Sequence, residues 1–181
     1  MNKPELNIYI GSMYAGKSTE IIKNFKTLES ADVKSLVITH SLENRFDENY
    51  FSTHDNIKIP CEKLSHIKDI YKLKSFNQSS VILVDEAQFF DDINEVINIV
   101  EINKKTVYVF GLDGDFKRNK FGCILDLIPY CDNIHKLKSI CYKCKDKGIF
   151  SLRISNSENQ VLVGSSDDYQ PVCRKCYLQN S

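Results

Sequence analysis

The sequence contains no uncharged apolar run approaching the ~18 residues that a membrane-spanning helix requires. Its first residues, Met1-Asn2-Lys3-Pro4-Glu5, carry no apolar stretch ahead of a cleavage site, so a soluble protein without a secretory leader is expected. An excess of charge is also missing. Lys plus Arg number 24 and Asp plus Glu number 24, which removes the basic footprint of a general nucleic-acid binder; neither nucleic acid nor a membrane is expected as a partner. There is no internal repeat and no low-complexity tract, which excludes a repeat array. No Asn-Lys-x-Asp motif is present to read a guanine, which argues against a GTP switch. The 181 residues fit one compact domain with a small appendage.

What is present begins with cysteine. There are seven, an odd number, and four of them form Cys141-x-x-Cys144 and Cys173-x-x-Cys176. Without a leader this pattern suggests metal rather than disulfides, in a reducing, cytoplasmic setting. Two such pairs can each offer two thiolates to one tetrahedral ion, so structural Zn²⁺ is favoured, with a redox Cys-x-x-Cys as the rival. The 28 residues between the pairs exceed the gap of an ordinary zinc ribbon. Cys61, Cys123 and Cys131 read as small core residues. The histidines His40, His54, His66 and His135 lack metal spacing and read as structural or surface groups.

Short apolar runs rich in β-branched residues occur at Leu6 to Ile10, Leu36 to Ile38, Val81 to Val84 and Val107 to Phe110. Such runs suit strands buried on both faces. Between them lie helical stripes. Ile21, Ile22, Phe25 and Leu28 follow Lys17; Ile67, Ile70, Tyr71 and Leu73 precede Val81; Ile93, Val96, Ile97 and Val100 follow Asp91 and Asp92, whose charges would favour a helix start there. The order β, α, β, α, β, α, β predicts an α/β fold with a mostly parallel sheet flanked by helices. From Cys141 the chain becomes short, Lys-rich and Cys-rich. Phe150 to Ile154 and Val161 to Val163 predict a hairpin or extended loop clamped by metal. The expected division is residues 1–140 as the α/β domain and 141–181 as a small zinc-binding domain.

Gly11-Ser12-Met13-Tyr14-Ala15-Gly16-Lys17-Ser18 fits G-x-x-x-x-G-K-[ST] and lies between a buried strand and an amphipathic helix, as a phosphate-binding loop must. Its backbone N–H groups and the helix N-terminus would meet ATP phosphates, Lys17 would hold the β- and γ-phosphates, and Ser18 would ligate Mg²⁺. Val81-Ile82-Leu83-Val84-Asp85-Glu86 reads as a second nucleotide-site strand. Asp85 would support Mg²⁺, leaving Glu86 free as a general base toward an acceptor hydroxyl. Taken alone it could equally be a strand running into an acidic turn. Arg45 is either a solvated loop residue or a phosphate-stabilising one.

These blocks, joined by Asn44-Arg45-Phe46, Thr53-His54-Asp55, Ala87-Gln88-Phe89-Phe90, Gly111-Leu112-Asp113-Gly114-Asp115-Phe116 and Phe121-Gly122, resemble the type II thymidine kinases of animal cells, bacteria and large DNA viruses. The matching pieces run from residue 8 to 177. The resemblance implies a P-loop NTPase-like fold and transfer of the ATP γ-phosphate to the 5′-hydroxyl of thymidine, and of deoxyuridine, giving dTMP and ADP in pyrimidine deoxynucleotide salvage for DNA synthesis. It makes Glu86 the catalytic residue. It puts Gly11 to Ser18, Glu43, Asn44, Arg45, Asp85 and Gln88 on the nucleotide side. Phe89, Leu112, Phe116, Phe121, Gln160, Val161, Leu162, Val163, Gly164 and Tyr169 fall on the nucleoside side, with Zn²⁺ on Cys141, Cys144, Cys173 and Cys176. A homotetramer and feedback by dTTP are implied as well. The chain departs from the family at Gly164-Ser165, where Gly-Gly is common, and at Lys120, where proline is common before Phe121-Gly122. A P-loop strand-handling protein with a zinc ribbon is the rival class. Neutral charge and short length weigh against it, because tracking a phosphate backbone needs a basic groove.

Overall fold

The computed structural model describes residues 3–42, 50–52, 57–155, 159–160 and 168–180. Its centre is a six-stranded sheet in the order β5-β2-β6-β7-β1-β8, formed by β1 (Leu6–Ile10), β2 (Ser35–His40), β5 (Glu62–Leu64), β6 (Val81–Val84), β7 (Thr106–Gly111) and β8 (Asn133–Lys136). Every pairing in it is parallel. The four predicted strands are its four inner members. β5 and β8 are edges with no hydrophobic pattern to announce them.

Strand alternation divides the inner residues between two cores. Leu6, Ile8, Ile10, Leu36, Ile38, Ile82, Val84, Val107 and Val109 face one side, where Ile67, Ile70, Phe76, Ile93, Val96, Ile99, Ile124 and Leu127 cover them. Val37, Val81, Leu83 and Phe110 face the other, covered by Ile21 and Ile22 of α1 (Lys17–Ser30) and by Phe51 and Ile59. Those last two belong to a hairpin of β3 (Tyr50–Ser52) and β4 (Lys58–Pro60). Each such aliphatic side chain contributes roughly 1.5–3 kcal/mol by leaving water. Ile82→Ala, at a position with no exposure, would cost about 2–5 kcal/mol.

Two helical expectations are corrected. The stripe from Ile67 is a 3₁₀ helix at Ile67–Lys72 followed by a short α2 (Lys74–Gln78). Asp92 does not begin the next helix, α3, which starts at Glu95 and ends at Glu101. Its two carboxylate oxygens instead accept from the backbone N–H groups of Ile67 and Lys68, at 2.9 and 3.1 Å. Capping the 3₁₀ helix satisfies two donors that would otherwise lack partners.

Near the C-terminus, β9 (Ser139–Ile140) pairs with β10 (Lys147–Gly148), and β11 (Phe150–Arg153) pairs antiparallel with β12 (Tyr169–Val172). The described partner of β11 is therefore β12, while Val161 to Val163 lie outside the described residues. Cys141, Leu152, Val172, Cys173, Cys176 and Tyr177 make a third, smaller core, closed by the short helix α4 (Arg174–Leu178).

Candidate functional site

Parallel strands bring their carboxyl ends to one edge, and the candidate residues gather there. β1 runs into the phosphate loop, β6 into Asp85 and Glu86, and β7 into Leu112. With β7 between β1 and β6, about 10 Å separates the phosphate loop's strand from that of Asp85. That gap can take a phosphate chain and a hard cation. Asp85, buried at 4 % exposure, supplies the oxygen such an ion prefers.

The loop has the backbone its glycines permit. Gly16 has φ 87°, left-handed, in open space, so conformation rather than crowding selects glycine. A Cβ on Gly11 would come within 2.8 Å of the Leu137 carbonyl oxygen. α1 begins with no side-chain cap, which leaves its first N–H groups for an anion. The Lys17 ammonium reaches the carbonyl oxygens of Gly11 and Ser12, at 3.1 and 2.9 Å. The loop is also tied to the C-terminal strands. Met13 N–H donates to Ser151 Oγ at 3.0 Å, and the hydroxyls of Ser12 and Ser139 lie 3.3 Å apart.

Glu86 has φ 51°, a left-handed conformation that costs a non-glycine residue about 1–3 kcal/mol. Its carboxylate is held by the buried Gln88, whose Nε2 donates to Glu86 Oε2 at 2.5 Å while its Oε1 accepts from Leu112 N–H at 2.9 Å. The resemblance groups Gln88 with the nucleotide; its described bonds join Glu86 to the end of β7. Gly122, at φ 60°, is where a second segment presses on this arrangement. A Cβ there would overlap the Gln88 carbonyl group.

Phe89 and Phe121 meet edge to face, with centroids 5.7 Å apart. Beyond them the loop after β7 carries Phe116. The buried Asp115 shapes that loop, its Oδ1 accepting from Lys117 and Asn119 N–H at 2.9 and 2.8 Å, and its Oδ2 accepts from Gln160 Nε2 at 2.8 Å. Tyr169 is buried at the start of β12. Glu43, Asn44, Arg45, Thr53, His54 and Asp55, and Val161, Leu162, Val163, Gly164 and Ser165, lie outside the described residues.

The thiols of Cys141, Cys144, Cys173 and Cys176 all lie within 4.8 Å of one another, with Cys144 and Cys173 Sγ at 3.6 Å. A zinc ion with bonds of about 2.3 Å requires tetrahedral S···S edges of about 3.8 Å, so the four residues fit the ion. Burial pushes the Cys141 thiol pKa up, but hydrogen bonds from the backbone at Cys144, Cys173 and Lys143 and from the Cys144 thiol prevail and bring it down to about 6. Burial and its sulfur neighbours push Cys176 up to about 12. A metal bound here would draw off the protons that the thiols retain. Cys61 is buried in the α1-side core, and Cys123 and Cys131 pack against the other, as expected of core cysteines.

Sequence reasoning missed Arg153. Its guanidinium carbon lies 3.7 Å from the centre of the Phe116 ring and 4.9 Å from that of Tyr169. Only its alternation with Leu152 on β11 could have marked it. His40, expected to be a structural or surface group, is buried edge-on against Phe90 with centroids 4.7 Å apart, and its Nδ1 accepts from Leu42 N–H at 3.0 Å. His135 stacks on Tyr9.

A model of the thymidine kinase family matches residues 4–177. The thymidine kinase of Mycoplasma mobile is 36% identical over 177 residues, covering 96% of this chain and 87% of that one. The thymidine kinase of vaccinia virus, strain Western Reserve, is 37% identical over 180 residues, covering 99% and 100%. Thymidine kinase a of Arabidopsis thaliana is 37% identical over 180 residues, covering 97% and 75%. A genome packaging NTPase from Sulfolobus turreted icosahedral virus 2, solved with ATP-gammaS, overlays with a TM-score of 0.49 at 14% identity over 75% of each chain, and adds nothing to the strand order above.

Proposed function

This chain belongs to the thymidine kinase family, and from that premise we propose how its residues divide the transfer of the ATP γ-phosphate to the 5′-hydroxyl of thymidine. Gly11 to Ser18 and the uncapped start of α1 cradle the phosphates. Lys17 holds the β- and γ-phosphates, and Glu43, Asn44 and Arg45 act on the same side. Ser18 and Asp85 hold Mg²⁺, which when bound neutralises charge on the phosphate chain. Glu86 takes the proton of the 5′-hydroxyl as its oxygen forms the new bond to phosphorus; the bond from phosphorus to the bridging oxygen breaks, and ADP leaves. Gln88 orients Glu86.

On the nucleoside side, Phe89, Leu112, Phe116, Phe121 and Tyr169 give an apolar wall, and Gln160 with the backbone from Val161 to Gly164 reads the base edges. An uncharged base is best selected by such a mixture. Zn²⁺ on the four cysteines ties down both ends of that segment, so residues 141–181 act as a lasso on the domain of residues 1–140. Deoxyuridine as a second substrate, dTTP as feedback inhibitor, a homotetramer and a cytoplasmic location complete the reading. No helix of the described residues is long and apolar enough to cross a membrane.

The observation that carries this reading is the pair of adjacent carboxylates, Asp85 buried and Glu86 held by Gln88, at the sheet edge shared with the phosphate loop. One serves a cation and the other a proton. A nucleoside panel at fixed ATP and Mg²⁺ tests it, with ADP release expected only when a pyrimidine deoxynucleoside is supplied. Failure of thymidine, deoxyuridine and deoxycytidine, with hydrolysis stimulated by single-stranded DNA, would replace it with the strand-handling reading.

A further inference from the structure

Residues alternate along β11 between two surroundings. Phe150 and Leu152 pack with the cysteine-lined core, while Ser151 and Arg153 turn toward the sheet domain, where Ser151 Oγ meets Met13 N–H. Arg153 lies over the face of Phe116 and also over Tyr169. Its guanidinium donates to the Tyr169 hydroxyl, to the carbonyl of Asn159 and, at 3.3 Å, to that of Gln160. Gln160 in turn reaches Asp115, which shapes the loop of Phe116. Three separate pieces therefore meet on one side chain: the loop after β7, the residues at 159–160 and the first residue of β12.

Only arginine suits this node. Its planar cation can lie on an aromatic face while its edge donates several hydrogen bonds in fixed directions; a lysine ammonium is a point charge that can do one or the other. The Lys117 ammonium also lies over the Phe116 ring, 5.4 Å from its centre, so two cations from different segments set the place of this aromatic. Tyr169 is held through its hydroxyl, so the two aromatics keep a fixed spacing.

We propose that Arg153 is the positioning residue of the nucleoside site, setting Phe116, Tyr169 and the backbone at 159–160 in register before the base arrives. This rests on the reading of Phe116 and Tyr169 as nucleoside-side residues. Arg153 bonds to Tyr169 and to the backbone at 159–160 and lies on Phe116, all on the nucleoside side of that reading, so its replacement is expected to act chiefly on that substrate.

The test is steady-state kinetics of Arg153→Lys and Arg153→Met with thymidine and ATP varied separately, alongside zinc content and thermal midpoint. Arg153→Lys is expected to raise the thymidine KM roughly tenfold or more and leave the ATP KM within about twofold, with zinc retained. The losses in kcat/KM for thymidine from Arg153→Lys and Phe116→Leu are expected to be non-additive in the double variant, since the two side chains touch. A purely structural stitch predicts a lowered midpoint with both KM values unchanged or moving together, and either result overturns the proposal. Wild-type turnover of thymidine with an unchanged thymidine KM in Arg153→Lys would remove the role of Arg153 and leave the functional reading standing. A wild-type protein inert toward every pyrimidine deoxynucleoside would remove both.

Discussion

Gln88 Nε2 donates to Glu86 Oε2 at 2.5 Å, and because the other end of the same amide is held by Leu112 N–H, the carboxylate is fixed relative to the end of β7. Gln88→Glu keeps an acceptor for Leu112 but sets a second negative charge beside Glu86. Repulsion between the two carboxylates would break the bond that holds Glu86, and kcat is expected to fall at least about tenfold. Wild-type kcat in this variant would show that the bond does not matter for turnover.

Glu86→Gln keeps the size of the side chain and removes its capacity to accept a proton. Turnover is expected to drop by about 10²–10⁴-fold, the usual contribution of a general base, while ATP binding survives. Near-normal turnover, measured with thymidine saturating, would take Glu86 out of the chemical step.

Gly122→Ala places a methyl group where the Gln88 carbonyl already is, at a φ of 60° that disfavours alanine. The backbone of one segment must move. A loss of at least about 2 kcal/mol in denaturant unfolding is expected, with kcat reduced because Gln88 shifts. A fully stable, fully active variant would contradict the close approach.

Elemental analysis of the purified protein is expected to find about one zinc per chain. Cys176→Ser should lower that toward zero and reduce the thermal midpoint by about 5 °C or more. Intact activity and an unmoved midpoint after chelation would defeat the structural-zinc assignment.

Burial holds His40 below its ordinary pKa of 6.5, against smaller opposing pulls from the Ser65 backbone and the Asp91 carboxylate. A proton on Nδ1 would also break the bond from Leu42 N–H. The unfolded chain therefore binds the proton more readily, and stability is expected to fall as pH drops below 6.5, levelling off once pH is under the depressed folded value. His40→Gln should flatten that part of the stability profile; an identical acid limb in the variant would assign it to other groups.

The inner strands were legible because β1, β2, β6 and β7 are buried on both faces, and that demand leaves continuous apolar runs in the sequence. β8 was not, since all four of its residues are exposed and it is held by backbone pairing with β1 and by the bond of Asn133 to Asn7 at 2.9 Å. Ile67 and Ile70, three apart, serve a 3₁₀ turn as well as an α-helix, so their spacing could not choose between them. The phosphate loop and the cysteine pairs carry their chemistry in short spacings. The contact of Arg153 with Phe116, and the service of Asp92 to the turn at Ile67 rather than to its own helix, exist only once distant segments have met.

The position of β1 between β7 and β8 has a consequence for how the chain is made. Leu6–Ile10 is synthesised before both of its neighbours, Thr106–Gly111 and Asn133–Lys136. Until they leave the ribosome, neither of its edges can make its native pairing, and its apolar side chains need other shelter. The loop at Gly11 to Ser18 therefore reaches its native setting only after segments from the second half of the chain have been made.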